Sequence, residues 1–135
     1  MEIKIDKTYF KAIKIKRIPK GSDVSEINLD MSLKVGFNKK YDNAFKIVFH
    51  LLLFDPTKSI ELDCNFIAKF KTREPITQDF IDSNFPNINA PAIAYPFFRA
   101  AISTITLNSG FTPVILPTVN FVKFVENKNR GKQST

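Results

Sequence analysis

Cysteine is almost absent from this chain. Cys64 stands alone among 135 residues, so no internal disulfide can form and a reducing compartment is expected. Histidine is as scarce, and His50 with Cys64 falls short of the three or four N/S ligands of a tetrahedral zinc site. Acidic residues number 13 against 20 Lys and Arg, and Asp23, Glu26 and Asp30 are too scattered for a calcium loop. Four glycines supply no phosphate-cradling loop. The longest apolar run, Ile47–Phe54, is broken by His50 and is far shorter than the roughly 20 residues of a membrane helix. The N-terminus, MEIKIDKTYF, alternates and carries charge, unlike a signal peptide. These absences point to a cytoplasmic protein without membrane insertion.

Catalytic groups are missing as well. His50 lies between Phe49 and Leu51 with neither a nucleophile nor an orienting acid beside it in sequence, and reads as a structural or exposed histidine. Cys64 alternates with Leu62 and Phe66 and reads as an inert core thiol. No catalytic residue, metal or cofactor is expected, and the chain is not read as an enzyme. Its net charge of +7 permits attraction to nucleic acid or another acidic surface, although a solvated lysine-rich face explains it more simply.

Phenylalanine is what the chain has in excess, fourteen against three Tyr and no Trp, more than a small core comfortably hides. Strand patterns fill the first half. Residues 27–37 alternate without fault, with Ile27, Leu29, Met31, Leu33, Val35 and Phe37 on one side. Residues 60–71 do the same in even register, from Ile60 to Phe70. Residues 43–54 carry Phe45, Ile47, Phe49, Leu51 and Leu53 on one face and a mixed second face, as a central strand would. Residues 2–16 alternate more loosely, with Ile3, Ile5, Tyr9, Ile13 and Ile15 assigned to the apolar side. Pro19–Asp23, Asn38–Asn43 and Asp55–Thr57 supply turns short enough to join antiparallel neighbours. The expected fold class is α+β: a four-stranded antiparallel meander covered on one face by helices. At this length one domain is expected, residues 1–127, followed by a basic flexible tail, residues 128–135.

The cover is the run from Asn89 to Phe121, in which Arg99 is the only ionised side chain. Before it, residues 75–88 read as a linker with a helical turn near Thr77–Asp82. Asn89 is a plausible N-cap, Pro91 suits a first turn, and Asn108-Ser109-Gly110 reads as a stop. Pro96 is tolerable within the first turns, and otherwise would kink this helix or mark its true start. Arg99, Ser103 and Thr106 make a thin polar stripe on an otherwise apolar helix, which therefore needs burial on a second side. Self-association is the economical reading. A shorter helix is expected from about Thr118, with Phe121, Phe124 and Val125 on one side.

Two surfaces qualify as binding sites. The basic first strand with Tyr9 and Phe10 would serve a nucleic-acid-binding module as an aromatic platform, the alternative function. The apolar loop residues Ile18 and Val24, Ile76, Phe80, Ile81 and Phe85, and Val114–Leu116 resemble the walls of a groove for extended polypeptide.

The segment that begins at Asn89 carries a family likeness. Pro96 with Phe98-Arg99, Gly110-Phe111 with Pro113, and Leu116-Pro117-Thr118-Val119-Asn120-Phe121 follow one another as in SecB-type protein-export chaperones. The strand order before them is also compatible, so the chain resembles that family over nearly its whole length. The resemblance implies an ATP-independent holdase, a dimer of dimers that holds unfolded polypeptide in long apolar grooves. It puts the groove on residues 17–26, 27–33 and 75–88, here Ile18, Val24, Ile27, Leu29, Met31, Ile76, Phe80, Ile81 and Phe85. It puts the long helix at the oligomer interface, with Tyr95, Phe98, Ala101, Ile102 and Ile105 as candidate contacts. In the family an acidic sheet face docks on the translocase motor SecA. Here Lys14, Lys16, Lys34, Lys69 and Lys71 share that face with Asp30, Glu61 and Asp63, a departure that leaves SecA docking open. A dedicated client, such as an antitoxin, is the other role the resemblance implies.

Overall fold

The computed structural model describes residues 2–21, 27–38 and 43–133, the last six of these as backbone alone. The strands β1 (Ile3–Arg17), β2 (Asn28–Phe37), β3 (Ala44–Asp55) and β4 (Ile60–Thr72) precede the helices α1 (Gln78–Ile81), α2 (Ala90–Asn108) and α3 (Phe121–Gln133). All strand pairs are antiparallel, as expected for α+β, but their spatial order is β1-β4-β3-β2. The meander therefore comprises β2, β3 and β4 only, and β1 pairs with β4 at the opposite edge. Length favours this arrangement, since 15 residues of β1 meet 13 of β4 but would meet only 10 of β2. The expected hairpin turn after β1 is instead the start of a crossing. Ile18 N–H donates to Ser59 O (2.9 Å) and Gly21 N–H to Pro56 O (3.0 Å), so the chain passes over the β3–β4 connection. That connection is a short 3₁₀ turn, Pro56–Lys58, capped by Asp55, whose carboxylate accepts the Thr57 N–H at 3.0 Å.

The loose alternation of β1 has a definite cause. Its register against β4 shifts between Ile5 and Lys7 and again between Phe10 and Ala12, so Asp6 and Lys11 are bulge residues. Each extra residue reverses the facing of the strand beyond it. Ile3 and Ile5, then Thr8 and Phe10, then Ile13 and Ile15 thus all lie on the covered face, opposite Phe70, Phe66 and Cys64 among others. Tyr9 is consequently on the outer face, not the apolar one. Phe10 packs edge-on to Phe66 with ring centres 5.1 Å apart, while Lys7 and Lys69 lie over the Tyr9 ring.

The core lies between the sheet and α2. Phe98 is fully buried and stacks on Phe49 and Phe66, each 5.1 Å away, which seats the helix over β3 and β4. Phe121 at the start of α3 meets Tyr95 at 5.4 Å and Phe49 at 6.3 Å. Only Phe54 and Phe97 of the fourteen phenylalanines remain exposed, at 40% and 48%. The sheet and helices thus absorb the phenylalanine excess that composition alone suggested they could not.

Helix ends follow local chemistry with one exception. Thr77 caps α1 by accepting the Phe80 N–H at 3.2 Å. Gly110, at φ 86°, stops α2 in the left-handed conformation that favours glycine. Asn89, however, makes no side-chain cap: it is helical, and α2 grows out of a π-helical turn, Phe85–Asn89. Pro96 therefore lies inside the helix rather than near its start. It is exposed, so the Ala92 carbonyl it leaves without an N–H also faces outward. At the other end α3 continues to Gln133, through most of the expected tail.

Candidate functional site

Arg99, Ser103 and Thr106 do not form a wet stripe along α2. Two of them, with Tyr95, bind the chain that returns after the helix. Arg99 Nε–H donates to Leu116 O at 2.9 Å, and Tyr95 OH donates to Pro117 O. Thr106, fully buried, donates to Ile102 O (2.8 Å) and accepts the Val114 N–H (2.9 Å). These bonds press Phe111, Val114 and Leu116 onto the core, where all three are buried. At the end of the helix Arg17 lies over the Phe111 ring at 4.2 Å and donates to Gly110 O.

With Arg99 and Thr106 turned to the loop, α2 shows water a face that is apolar apart from Thr104. Ile93, Phe97, Ala100, Thr104 and Leu107 are all exposed, at successive spacings of four, three, four and three. That is the repeat of a helix–helix seam. The expected interface set fits differently. Tyr95, Phe98 and Ile102 are buried by the chain's own sheet and loop, and Ala101 and Ile105 are half-buried. Those residues hold the helix to the sheet, whereas the free face lies along Ile93–Leu107. The signal was present in the sequence, as a four-three repeat offset from the stripe that the polar residues suggested.

The expected groove residues fall into two groups at opposite ends of the sheet. Phe80 packs against Phe45 (5.6 Å) and Phe85 (6.1 Å), beside the Phe37–Phe45 pair at the end of β2. Ile76 and Ile81 are half-buried near them in sequence, and Ile76 packs on the core. Ile18 lies at the far end, against the β3–β4 turn, and Ile27 and Leu29 enter β2 there, each 40% exposed. Val24 lies outside the described residues. The link between the ends is β2 itself. Its inward residues Leu29, Met31, Leu33, Val35 and Phe37 form a continuous apolar stripe beside β3. In the strand order β2 is the edge of the sheet, and its 10 residues span about 30 Å.

The two residues weighed for chemistry also have definite places. Cys64 is buried, and burial, reinforced by the charge of Asp63 and opposed by a hydrogen bond to the Leu51 backbone, pushes its thiol up to about 12. His50 does have an acid beside it: its Nε2 lies 3.0 Å from Asp63 Oδ1 across the outer face. The sequence hid this contact because the two residues are brought together by the β3–β4 register. Both are substantially exposed, so the pair is a surface hydrogen-bonding contact on an open sheet. Among the described residues no cluster of His, Cys, Asp or Glu is placed to hold a metal ion, and no helix is long and apolar enough to cross a membrane.

A sheet with a crossing first strand, covered on one face by a long helix and a pinned loop, defines an architecture that known proteins share. The profile of the preprotein translocase subunit SecB matches residues 1–132, and the chain belongs to the SecB family. It is 26% identical over 129 residues to an uncharacterized protein of Methanocaldococcus jannaschii, a match covering 90% of this chain and 83% of that one. Its fold is similar to that of a Mycobacterium tuberculosis SecB-like chaperone, solved with a ChAD peptide from the HigA1 antitoxin. The two share 14% identity and a TM-score of 0.62, over 87% of this chain and 90% of the other. Family membership supports a chaperone role.

Proposed function

We propose that the protein is an ATP-independent holdase that captures unfolded or nascent polypeptide in extended form along β2. The observation that carries this reading is the continuous apolar stripe along β2, the edge strand of the sheet. An extended client would add main-chain hydrogen bonds to the edge and set alternate side chains on the stripe. The exposed residues Ile27 and Leu29 at one end, and the half-buried Ile76, Phe80, Ile81 and Phe85 at the other, would bound the path. The outward helix seam supports self-association, in keeping with a dimer of dimers. The antitoxin peptide held by the similar mycobacterial chaperone supports a dedicated client as one role, and the family description supports protein export as another. The nucleic-acid alternative keeps its basic strand but not its paired aromatic platform, because Phe10 faces the core and Tyr9 the outer face.

Purified protein should slow the aggregation of a chemically unfolded client without ATP. Leu29→Glu should weaken capture several-fold while leaving the assembly and its melting temperature unchanged, because the side chain is exposed and a buried client contact cannot tolerate the charge. Undiminished capture by this variant would remove β2 from the client path. Substitution of Phe80 is a poorer test, since its packing on Phe45 ties it to the core.

A further inference from the structure

The outer face of the sheet is divided along its strands by charge. Register places Lys4 opposite Lys71, and then Lys7, Lys69 and Lys46 in one line across β1, β4 and β3. Lys34 follows on β2, opposite Val48. All six lysines are exposed. Among the described residues, Asp6 is the one acid seen in contact with these lysines, 3.5 Å from Lys71. At the other half the same strands carry Lys14 opposite Asp63 and Lys16 opposite Glu61, with Asp30, Leu52 and Phe54 beside them, so charge is nearly balanced and the surface partly apolar. Like charges set directly opposite one another destabilise a sheet, so the line of three lysines is an arrangement that folding by itself disfavours. Gly36 helps to make it possible. A Cβ there would come within 3.0 Å of Lys46 Cε, so the bare position lets that side chain lie across β2. The line borders an open depression of about 680 Å³, whose walls include Lys46, Lys69, Lys71 and Phe37, with one acid, Asp6.

We propose that this lysine-rich half of the outer face docks an acidic segment of a partner polypeptide, separately from the client path along β2. A protein segment fits better than a nucleic acid for three reasons. Its cations are lysines apart from Arg73 just past β4, whose guanidinium already lies 3.5 Å from Glu2, so the face offers no free planar fork to grip phosphate with two bonds. Its one aromatic ring, Tyr9, lies beneath the ammonium groups of Lys7 and Lys69, at 5.4 and 5.6 Å, instead of being open for a base to stack on. The basic stretch also ends where Asp63, Glu61 and Asp30 begin, which would repel a phosphate backbone continuing along the strands. A peptide can match this division, with carboxylates over the lysines and neutral or apolar residues over Leu52 and Phe54. Individual exposed ion pairs are weak, so the surface would act through several at once and by steering the encounter.

The test uses fluorescence anisotropy with a labelled peptide of alternating Glu and Ala, compared with a single-stranded oligothymidylate of equal charge. The peptide should bind at low salt, with affinity falling as salt rises. Lys46→Glu with Lys69→Glu should weaken it by about tenfold or more, and Lys14→Glu with Lys16→Glu, the same change of net charge, by less than about twofold. Absence of peptide binding would overturn the proposal, as would equal losses in the two double variants, which would mean net charge alone. Tighter binding of the oligothymidylate would also overturn it, in favour of a nucleic-acid partner. Aggregation suppression by the Lys46→Glu, Lys69→Glu variant should stay at the wild-type level, which separates this surface from the holdase reading.

Discussion

Cys64 shows how one residue can report on the whole fold. Its thiol is neutral in both folded and unfolded chains below its ordinary value of 9.0, so it makes no pH-dependent contribution there. Above that the unfolded chain loses the proton while the folded chain keeps it until about 12, so stability falls as pH rises through this window. The expected slope is about 1.4 kcal/mol per pH unit. Tyr95, also raised by burial and only partly offset by Arg99, adds to the decline above its ordinary value of 10.0. Urea midpoints at pH 8, 9 and 10 should therefore drop over the last step in the wild type and much less in Cys64→Ala. A slope unchanged by that substitution would assign the alkaline loss elsewhere. The inward place of this thiol was legible in the sequence, from the alternation of Leu62, Cys64 and Phe66. The carboxylate beside His50 was not, because Asp63 reaches it only through the pairing of two strands.

Among the elements, β1 separates what a pattern states from what a sheet requires. A strict period of two assigns Tyr9 inward, yet Phe10 is the residue on Phe66. The bulges at Asp6 and Lys11 reconcile an irregular sequence with a face that must remain apolar throughout. Removing Lys11 should turn the preceding half of the strand over and destabilise the protein by about 3 kcal/mol or more, whereas Lys11→Ala should change stability by less than about 0.5 kcal/mol. Chemical denaturation of the two variants measures the difference, and similar stabilities would show that the strand slips without cost. Helix α2 teaches the same lesson in reverse. Its thin polar stripe of Arg99, Ser103 and Thr106 is visible in the sequence, but what that stripe faces is not. Only the returning loop, whose carbonyl and amide Arg99 and Thr106 satisfy, shows that the wet side is apolar.

For the whole molecule, that inversion relocates the surface available for assembly. Neighbouring phenylalanines in α2 should behave in opposite ways. Phe98→Ala removes a fully buried ring and should cost about 3–5 kcal/mol in unfolding measurements. Phe97→Lys lies on the exposed seam and should leave the circular dichroism of the fold intact while shifting sedimentation velocity from an assembly to the monomer. An unchanged sedimentation coefficient in this variant would rule out the Ile93–Leu107 face as the seam.

Sequence by itself determined the elements and most of their inward faces. Alternation needs only the geometry of a strand, capping needs only neighbouring atoms, and the glycine stop needs only a backbone angle. It also carried the ordered motifs after Asn89 that mark the family. Tertiary structure decided which edge β1 occupies, which side of α2 remains free, and which lysines stand in line. Each of these depends on residues far apart in the chain meeting through register or packing, a relation that no local period encodes.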